Sequence, residues 1–178
     1  MKFLIASDIH GSAYYTEKLI EIFNKEKADR IILLGDIFNH GPRNPLPKDY
    51  APLKVADLLN AVKDKLYVIK GNCDSEVDTL ISEFDFLPHM LLTVGEKSVF
   101  LTHGHVFNAD GMPKQLHDAI IYGHFHTGFI KRTDNGLIVN TGSISLPKNN
   151  TPSSYIILDN QTLTLKDEFS NIIDSENL

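Results

Sequence analysis

The order of apolar and amphipathic segments in the first 71 residues constrains the fold of this chain more than any other feature. Three short apolar runs, KFLIAS, RIILLG and LYVIKG, are typical of β-strands. The stretches between them, YYTEKLIEIFNKEK and LKVADLLNAVKDK, carry apolar side chains at helical spacing. Strands that alternate with helices pair in parallel through right-handed crossovers. The first part of the chain therefore predicts a parallel sheet covered by helices.

The second part of the chain is rich in predicted hairpins. MLLTV and SVFLT flank a turn at Gly95, FIKRT and LIVNT flank the strong turn signal Asn135-Gly136, and SYIILD and LTLKDEF flank Asn160-Gln161. Together the two parts predict an α/β fold with two sheets packed face to face and helices outside. The polar end of the chain, SNIIDSENL, is expected to fray.

Composition excludes several classes of function. A chain of 178 residues with 42% hydrophobic content suits one domain over residues 1–178. A net charge of −6 leaves no diffuse basic surface, so no long nucleic acid is expected as a partner. One cysteine cannot form an internal disulfide, and no membrane span or signal-peptide core is visible. These features predict a cytoplasmic protein.

Residues that can bind metals stand where the predicted strands end. In open α/β sheets, ligands bind beyond the carboxyl ends of the strands, so these side chains are expected to converge in one crevice. The residues in question are Asp8, His10, Asp36, Asn72, His103, His105, His124 and His126.

Taken singly, each of these residues has a structural explanation. Asp8 can cap a helix, Asp36 can accept backbone hydrogen bonds, and a lone histidine is more often packed or exposed than a ligand. His124 and His126 are different, because alternate residues of a strand face the same way. The joint pattern favours a binuclear metal site.

The order of the motifs resembles that of the calcineurin-like metallophosphoesterase superfamily. D-x-H, G-D, G-N, H-G and G-H-x-H follow one another from Asp8 to His126, and GDIFNHGPRNPLPKDYAP and GNCDSEVD are similar to segments of the small bacterial phosphodiesterases of the YfcE type. The resemblance implies a four-layered α/β/β/α sandwich of two mixed β-sheets flanked by helices. It also implies hydrolysis of small phosphodiesters through a binuclear metal centre and a metal-activated water.

The resemblance assigns a ligand set to the two ions. One ion takes Asp8, His10 and His126, the other takes Asn72, His103 and His124, and Asp36 bridges them. Carboxylate, imidazole and amide donors suit several divalent ions, and the resemblance favours Mn²⁺ over Zn²⁺, Fe²⁺ and Ni²⁺.

Substrate contacts are predicted from position. The proline-rich loop 38–53 carries Asn39, His40 and Arg43 just beyond Asp36, and His105 lies two residues beyond ligand His103. Arginine is a bidentate phosphate partner, although Arg43 can equally be a solvated charge. His89 and His117 follow no predicted strand and are interpreted as structural or exposed.

Cys73 stands where many members of the superfamily have a histidine that is held to assist the leaving group. A thiol is a weak hydrogen-bond donor and lacks the near-neutral proton exchange of imidazole. A small filler beside Asn72 is therefore favoured over a redox switch or a thiolate ligand.

Two broader predictions remain. The superfamily resemblance and the apolar side chains of Leu46, Tyr50 and Leu53 suggest a homo-oligomer, a dimer or larger. The alternative to an enzyme is a non-catalytic metal-binding scaffold or ligand-binding protein of the same fold. Loss of ligands would favour the scaffold, and here all seven ligand positions are filled.

Overall fold

The computed structural model describes residues 1–114 and 117–178, and two mixed β-sheets form its framework. The first sheet consists of β1 (Lys2–Ala6), β2 (Arg30–Leu33), β3 (Leu66–Ile69), β4 (Phe86–Leu87), β10 (Ser154–Asp159), β11 (Thr162–Asp167) and β12 (Ile172–Asn177). Its strand order is β12-β11-β10-β1-β2-β3-β4. β1, β2, β3 and β4 pair in parallel, and the hairpin β10–β11 joins β1 in antiparallel orientation.

The second sheet contains two of the three predicted hairpins. It contains β5 (Met90–Val94), β6 (Lys97–Leu101), β7 (Ala119–Tyr122), β8 (Gly128–Thr133) and β9 (Gly136–Thr141) in the order β5-β6-β7-β9-β8. β6, β7 and β9 are parallel to one another. The central strands of both sheets are apolar because both faces are covered, as in the sequence AIIY of β7, all four residues of which are buried.

Two α-helices pack on the outer face of the first sheet. Helix α1 (Ala13–Glu26) begins at Ser12, whose hydroxyl accepts the backbone N–H of Tyr15, and helix α2 (Pro52–Asn60) begins with a proline in its first turn. The helical pattern predicted α2 to continue to residue 65, which is wrong. The helix ends at Asn60, and a 3-10 turn at Lys63–Lys65 follows, because the chain must change direction to enter β3.

Apolar side chains fill the space between the layers. Leu19, Phe23 and Leu59 of the helices lie against the first sheet, and Ile5, Ile121 and Val139 belong to the core between the sheets. On the outer face of the second sheet, Phe107 covers Phe100. The predicted fold class, an α/β sandwich of two mixed sheets, is confirmed.

The prediction that the end of the chain frays is wrong. Residues 172–177 form β12, which pairs with β11, and Leu178 packs against the core between the sheets. The sequence misleads here because an edge strand with exposed faces has no apolar alternation to reveal it. In the described residues, no helix is long and apolar enough to cross a membrane.

Candidate metal centre

Loops that follow strands of both sheets bring the predicted ligands together. Asp8 and His10 follow β1, Asp36 follows β2, Asn72 follows β3, His103 follows β6, and His124 and His126 follow β7. The parallel arrangement places all these strand ends at one edge of the sandwich. Residues up to 118 positions apart in sequence therefore meet.

A first group combines one carboxylate with two imidazoles. Asp8 Oδ1 lies 3.5 Å from His10 Nε2 and 3.2 Å from His126 Nε2, and the two Nε2 atoms are 3.1 Å apart. All three side chains are almost completely buried. This is the ligand set that the superfamily resemblance implied for one ion.

A second group lies beside the first. His103 Nε2 is 3.0 Å from Asn72 Oδ1 and 3.2 Å from His124 Nδ1. This group contains the three residues that the resemblance implied for the other ion.

Asp36 lies between the two groups. Its Oδ2 atom is 3.8 Å from His10 Nε2 and 3.4 Å from His103 Nε2, while its Oδ1 atom accepts the backbone N–H of Cys73 at 2.8 Å. One carboxylate oxygen therefore faces a histidine of each group. A bridging ligand requires this position.

Backbone carbonyls set the tautomers of three imidazoles. A carbonyl oxygen can only accept, so the ring atom that contacts it must carry the hydrogen. The contacts join Nδ1 of His10 to Asn39 O at 2.7 Å, Nδ1 of His103 to Leu34 O at 2.8 Å, and Nδ1 of His126 to Leu146 O at 2.7 Å. In the neutral rings Nε2 then presents a lone pair to the centre, as second-sphere hydrogen bonds do in metal sites.

Asp8 provides a direct test of whether a cation fits. Its Oδ1 atom is buried and has no hydrogen-bond partner among the described residues, although two imidazole Nε2 atoms lie within 3.5 Å. Buried polar atoms are almost always satisfied. Three electron-pair donors that converge without a hydrogen between them need a cation, so the residues present fit a divalent ion.

The charged groups of the site shift one another's pKa values. Burial raises the pKa of Asp8, but the neighbouring imidazoles of His10 and His126 outweigh it and leave this pKa well below its ordinary range. Burial likewise lowers the pKa of His103, yet its contact with Asp36 raises that pKa to about 9. The ionised carboxylates of Asp8 and Asp36 therefore favour cations at the centre, and protons compete with metal ions for its imidazoles.

Close backbone approach is possible because two positions are glycine. A Cβ atom on Gly71 would lie 2.2 Å from Asp36 Oδ1, and one on Gly123 would lie 2.5 Å from Asp8 Oδ2. Both distances are far below van der Waals contact. A larger residue at either position would displace a predicted ligand.

Three supporting residues lie outside the predicted ligands and substrate contacts. The buried carboxylate of Asp74 accepts the backbone N–H groups of Asp36, Ile37 and Gly71 at 2.7–2.8 Å, which ties two ligand loops together. The hydroxyls of Ser143 and Ser145 both donate to the carbonyl of Asp8 at 2.8 Å. The sequence offered only the motif TGSIS after a strand as a hint to these serines.

A cleft of about 810 Å³ opens beside the centre, and some of the residues predicted to contact the substrate line it. Asn39, Arg43 and Cys73 line it. His40 and His105 do not: His40 lies edge-on to Tyr50, and His105 is exposed with its ring 5.3 Å from that of His103. The cleft also contains Asn44, Phe125 and Lys148, which the sequence analysis did not single out.

Cys73 faces the centre from the cleft. Its half-buried Sγ, a ring nitrogen of His10 and a carboxylate oxygen of Asp36 lie within 4.8 Å of one another. Burial, reinforced by the charge of Asp36, raises the pKa of the thiol to about 12. Without a metal the thiol is therefore neutral, which agrees with a filler.

The two remaining histidines belong to the outer face of the second sheet. The ring of His89 stacks on Phe100 at 5.2 Å, and the ring of His117 lies 6.2 Å from Phe100. Neither belongs to the groups of candidate metal ligands.

Two mixed sheets that carry convergent aspartate, histidine and asparagine ligands at one edge define the class of metallophosphoesterases. Residues 1–163 match the family model described as the calcineurin-like phosphoesterase superfamily domain. The chain belongs to this superfamily, and the predicted family is thereby confirmed.

Individual relatives agree over nearly the whole chain. Phosphodiesterase YfcE of Escherichia coli is 42% identical over 167 residues, which cover 93% of this chain and 91% of the relative. The probable metallophosphoesterase YsnB of Bacillus subtilis is 31% identical and covers 98% and 95% of the two chains. A solved structure of YfcE, described as a phosphoesterase from E. coli, superimposes with a TM-score of 0.95 at 40% identity, covering 99% of both chains.

Proposed function

We propose that this protein hydrolyses small phosphodiesters at a binuclear metal centre, with Asp36 shared between two divalent ions. Membership of the superfamily and the 42% identity to a phosphodiesterase support a phosphoric diester hydrolase, in agreement with the enzyme predicted from the sequence.

One observation carries the binuclear arrangement. Asp36 Oδ2 lies within 3.8 Å of a histidine nitrogen of each ligand group, so a single carboxylate can serve both. One ion would be held by Asp8, His10 and His126, and the other by Asn72, His103 and His124. A shared negative charge reduces the repulsion between two neighbouring cations.

Divalent ions in such a site act as Lewis acids and lower the pKa of water. The chain itself holds the ligands in place, and the thiol of Cys73, whose pKa is raised to about 12, is a poor nucleophile while neutral. His105 is positioned beside the centre, and burial, together with the nearby charge of His103, lowers its pKa. A neutral imidazole at this place can donate a hydrogen bond to a phosphate oxygen.

Mn²⁺ is the proposed metal. The donors are carboxylate oxygen, imidazole nitrogen and amide oxygen, a hard to intermediate set that suits Mn²⁺ and also accepts Fe²⁺, Ni²⁺ or Zn²⁺. The proposed set contains no thiolate, although Cys73 Sγ lies near ligand atoms of His10 and Asp36. The cleft volume of about 810 Å³ lies in the range of small-molecule sites, which supports a small diester.

The test is a screen of metals against substrates. Metal-free protein should be loaded with Mn²⁺, Zn²⁺ or Mg²⁺ and assayed with phosphomonoesters, simple diesters and cyclic nucleotides. We expect two bound metal ions per chain by elemental analysis and the highest turnover on a diester with Mn²⁺. A protein that binds metal but hydrolyses no ester would instead be the non-catalytic scaffold.

A further inference from the structure

The cleft beside the metal centre is more elaborate than hydrolysis of a bare diester requires. Its inner wall is formed by Asp36, Asn72, His124 and His126, and its outer part by the proline-rich loop and the segment around residue 148. Three side chains of the cleft are not in the proposed ligand set: Phe125, between His124 and His126, and Arg43 and Lys148 in the outer part.

Phe125 presents an exposed aromatic ring to the cleft. It stands between the ligands His124 and His126, yet 46% of its surface is accessible. Edge-on contacts with His124 at 5.0 Å and Tyr122 at 6.1 Å hold its ring. An aromatic face fixed beside a charged centre is a stacking platform for a planar group, and nucleobases stack on such rings with little dependence on sequence.

Arg43 and Lys148 add positive charge to the cleft. In the part of the chain that the structure describes, neither side chain donates a hydrogen bond or joins an ion pair, and Asp36 is the one carboxylate of the described lining. Their backbones are held: the N–H of Lys148 donates to His126 O at 2.9 Å, and the N–H of Asn44, next to Arg43, donates to Gly41 O at 3.4 Å.

The charge of the cleft exceeds the need of a simple diester. A diester phosphate carries one negative charge, and the two proposed cations would already meet it. Arg43 and Lys148, both exposed at the cleft, can bind a second anionic group on the substrate, since guanidinium and ammonium groups bind phosphate and carboxylate.

We infer that the substrate is a nucleotide-type phosphodiester with an additional anionic group. Its base stacks on Phe125, and its second phosphate or carboxylate lies between Arg43 and Lys148 while the reacting phosphate occupies the metal centre. This inference rests on the proposed function, because it assumes that the centre hydrolyses a diester.

Three esters with one leaving group test this arrangement. They are the p-nitrophenyl esters of methyl phosphate, of adenosine 5′-phosphate, and of the 5′-phosphate of adenosine that also carries a 3′-phosphate. Because the leaving group is constant, ratios of kcat/KM report the non-reacting arm alone. With the Mn²⁺-loaded protein, we expect kcat/KM to rise at each step along this series.

Substitutions assign each step to a side chain. Phe125→Ala should reduce kcat/KM for the adenosine ester, relative to kcat/KM for the methyl ester, roughly tenfold. Phe125→Tyr should leave this ratio unchanged. Arg43→Gln and Lys148→Gln should each reduce kcat/KM for the 3′-phosphorylated ester, relative to kcat/KM for the plain adenosine ester, roughly fivefold. Phe169→Ala and Lys131→Gln remove a comparable exposed ring and cation elsewhere, and they should change neither ratio.

The outcomes separate the two proposals. If the parent protein releases p-nitrophenol from the esters in a metal-dependent way but shows equal kcat/KM for all three, the inference is overturned and the proposed function stands. Unchanged ratios in the Phe125 and Arg43 variants at normal metal content overturn it as well. If no ester is hydrolysed, the proposed function fails. Calorimetric binding of adenosine 3′,5′-bisphosphate tests the proposed contacts apart from hydrolysis: equal affinity of the parent and Phe125→Ala overturns stacking on Phe125.

Discussion

Five of the seven proposed ligands have left-handed backbone conformations. Their φ angles are 59° for Asp8, 53° for His10, 55° for Asp36, 65° for His124 and 60° for His126. Such conformations cost about 1–3 kcal/mol each in non-glycine residues, although aspartate and histidine tolerate them better than most. The surrounding structure holds this strain so that side chains leaving several strands can point at one place.

The first prediction separates a bridging ligand from a substrate contact. Asp36→Asn should abolish activity and weaken binding of both metal ions, because an amide cannot supply the shared negative charge. His105→Ala should keep metal content near normal while turnover falls, since His105 lies outside the ligand groups. Elemental analysis and steady-state kinetics on the two variants provide the measurement. Equal loss of metal in both variants would contradict the allocation.

The second prediction concerns Cys73. General acid catalysis contributes about 10²–10⁴-fold, and a neutral thiol supplies little of it. Aryl esters should therefore be cleaved much faster than alkyl esters, and Cys73→His should raise activity most on alkyl esters. Cys73→Ser should leave turnover and metal content almost unchanged. Loss of a metal ion in Cys73→Ser would mean that the thiol, which lies near ligand atoms of His10 and Asp36, is itself a ligand.

At the scale of elements, strands and hairpins were predictable and their connections were less so. Apolar runs such as RIILLG and turn signals such as Asn135-Gly136 determine their own structure, and β2 and the turn between β8 and β9 lie where expected. The end of α2 and the strand β12 depend on tertiary contacts, which local pattern does not contain.

The candidate site, too, was predictable from the sequence only in part. The positions at strand ends predicted that these residues converge, and the superfamily resemblance implied their division into two groups. Phe125 and Lys148 could not be predicted as cleft residues, because their placement depends on how loops from both sheets come together. His40 illustrates the converse, since proximity to Asp36 in sequence did not bring it into the cleft.

The third prediction tests the connection between two ligand loops. Asp74→Asn retains one oxygen acceptor for three backbone donors, so at least one buried N–H loses a good partner, at a cost of about 1–3 kcal/mol. We expect a lower Tm and weaker Mn²⁺ binding. Asp78→Asn is the matched control, because Asp78 accepts hydrogen bonds from Ser75 at an exposed turn. Equal effects of the two substitutions on Mn²⁺ affinity would show that Asp74 does not position the ligands.

The fourth prediction concerns the contact between α1 and the first sheet. Glu26, largely buried, accepts hydrogen bonds from Lys166 at 2.6 Å and Tyr155 at 3.2 Å and pairs with Lys2. Burial raises the pKa of Glu26, but Lys166 and Lys2 outweigh this and lower it below its ordinary value of 4.5. A lowered folded-state pKa stabilises the protein above the unfolded pKa, and this stability is lost as the pH falls through the folded pKa.

Glu26→Gln should therefore reduce the free energy of unfolding by about 1 kcal/mol at pH 7 and reduce the loss of stability on acidification below pH 4.5. Urea unfolding of metal-free protein from pH 7 to pH 3.5 measures both effects. Glu21→Gln removes an exposed carboxylate from the same helix and should change neither. If Glu26→Gln and the parent lose stability in parallel on acidification, the carboxylate is not held in its charged form by these lysines.

At the scale of the whole molecule, exposed apolar side chains form two groups. Leu46 and Leu53 are 62% and 68% accessible, while Tyr50 is half-buried beside His40. The last strand adds a second group, because Phe169 and Ile172 are each 67% accessible and β12 forms an edge of the first sheet. Edge strands with exposed apolar side chains are favourable places for pairing between chains.

The fifth prediction is that the protein forms a homodimer or a larger homo-oligomer. Light scattering at micromolar concentration should give a mass of at least twice the 20.0 kDa of one chain. Ile172→Lys places a charge on the edge strand and should shift the mass toward that of the monomer, because burying an unpaired ammonium is costly. Leu80→Lys is the control, since Leu80 is 84% accessible on a turn outside both apolar groups. A monomeric parent chain would refute the prediction. If Ile172→Lys leaves the oligomer unchanged, the interface is not at β12, and Leu46→Lys then tests the proline-rich loop.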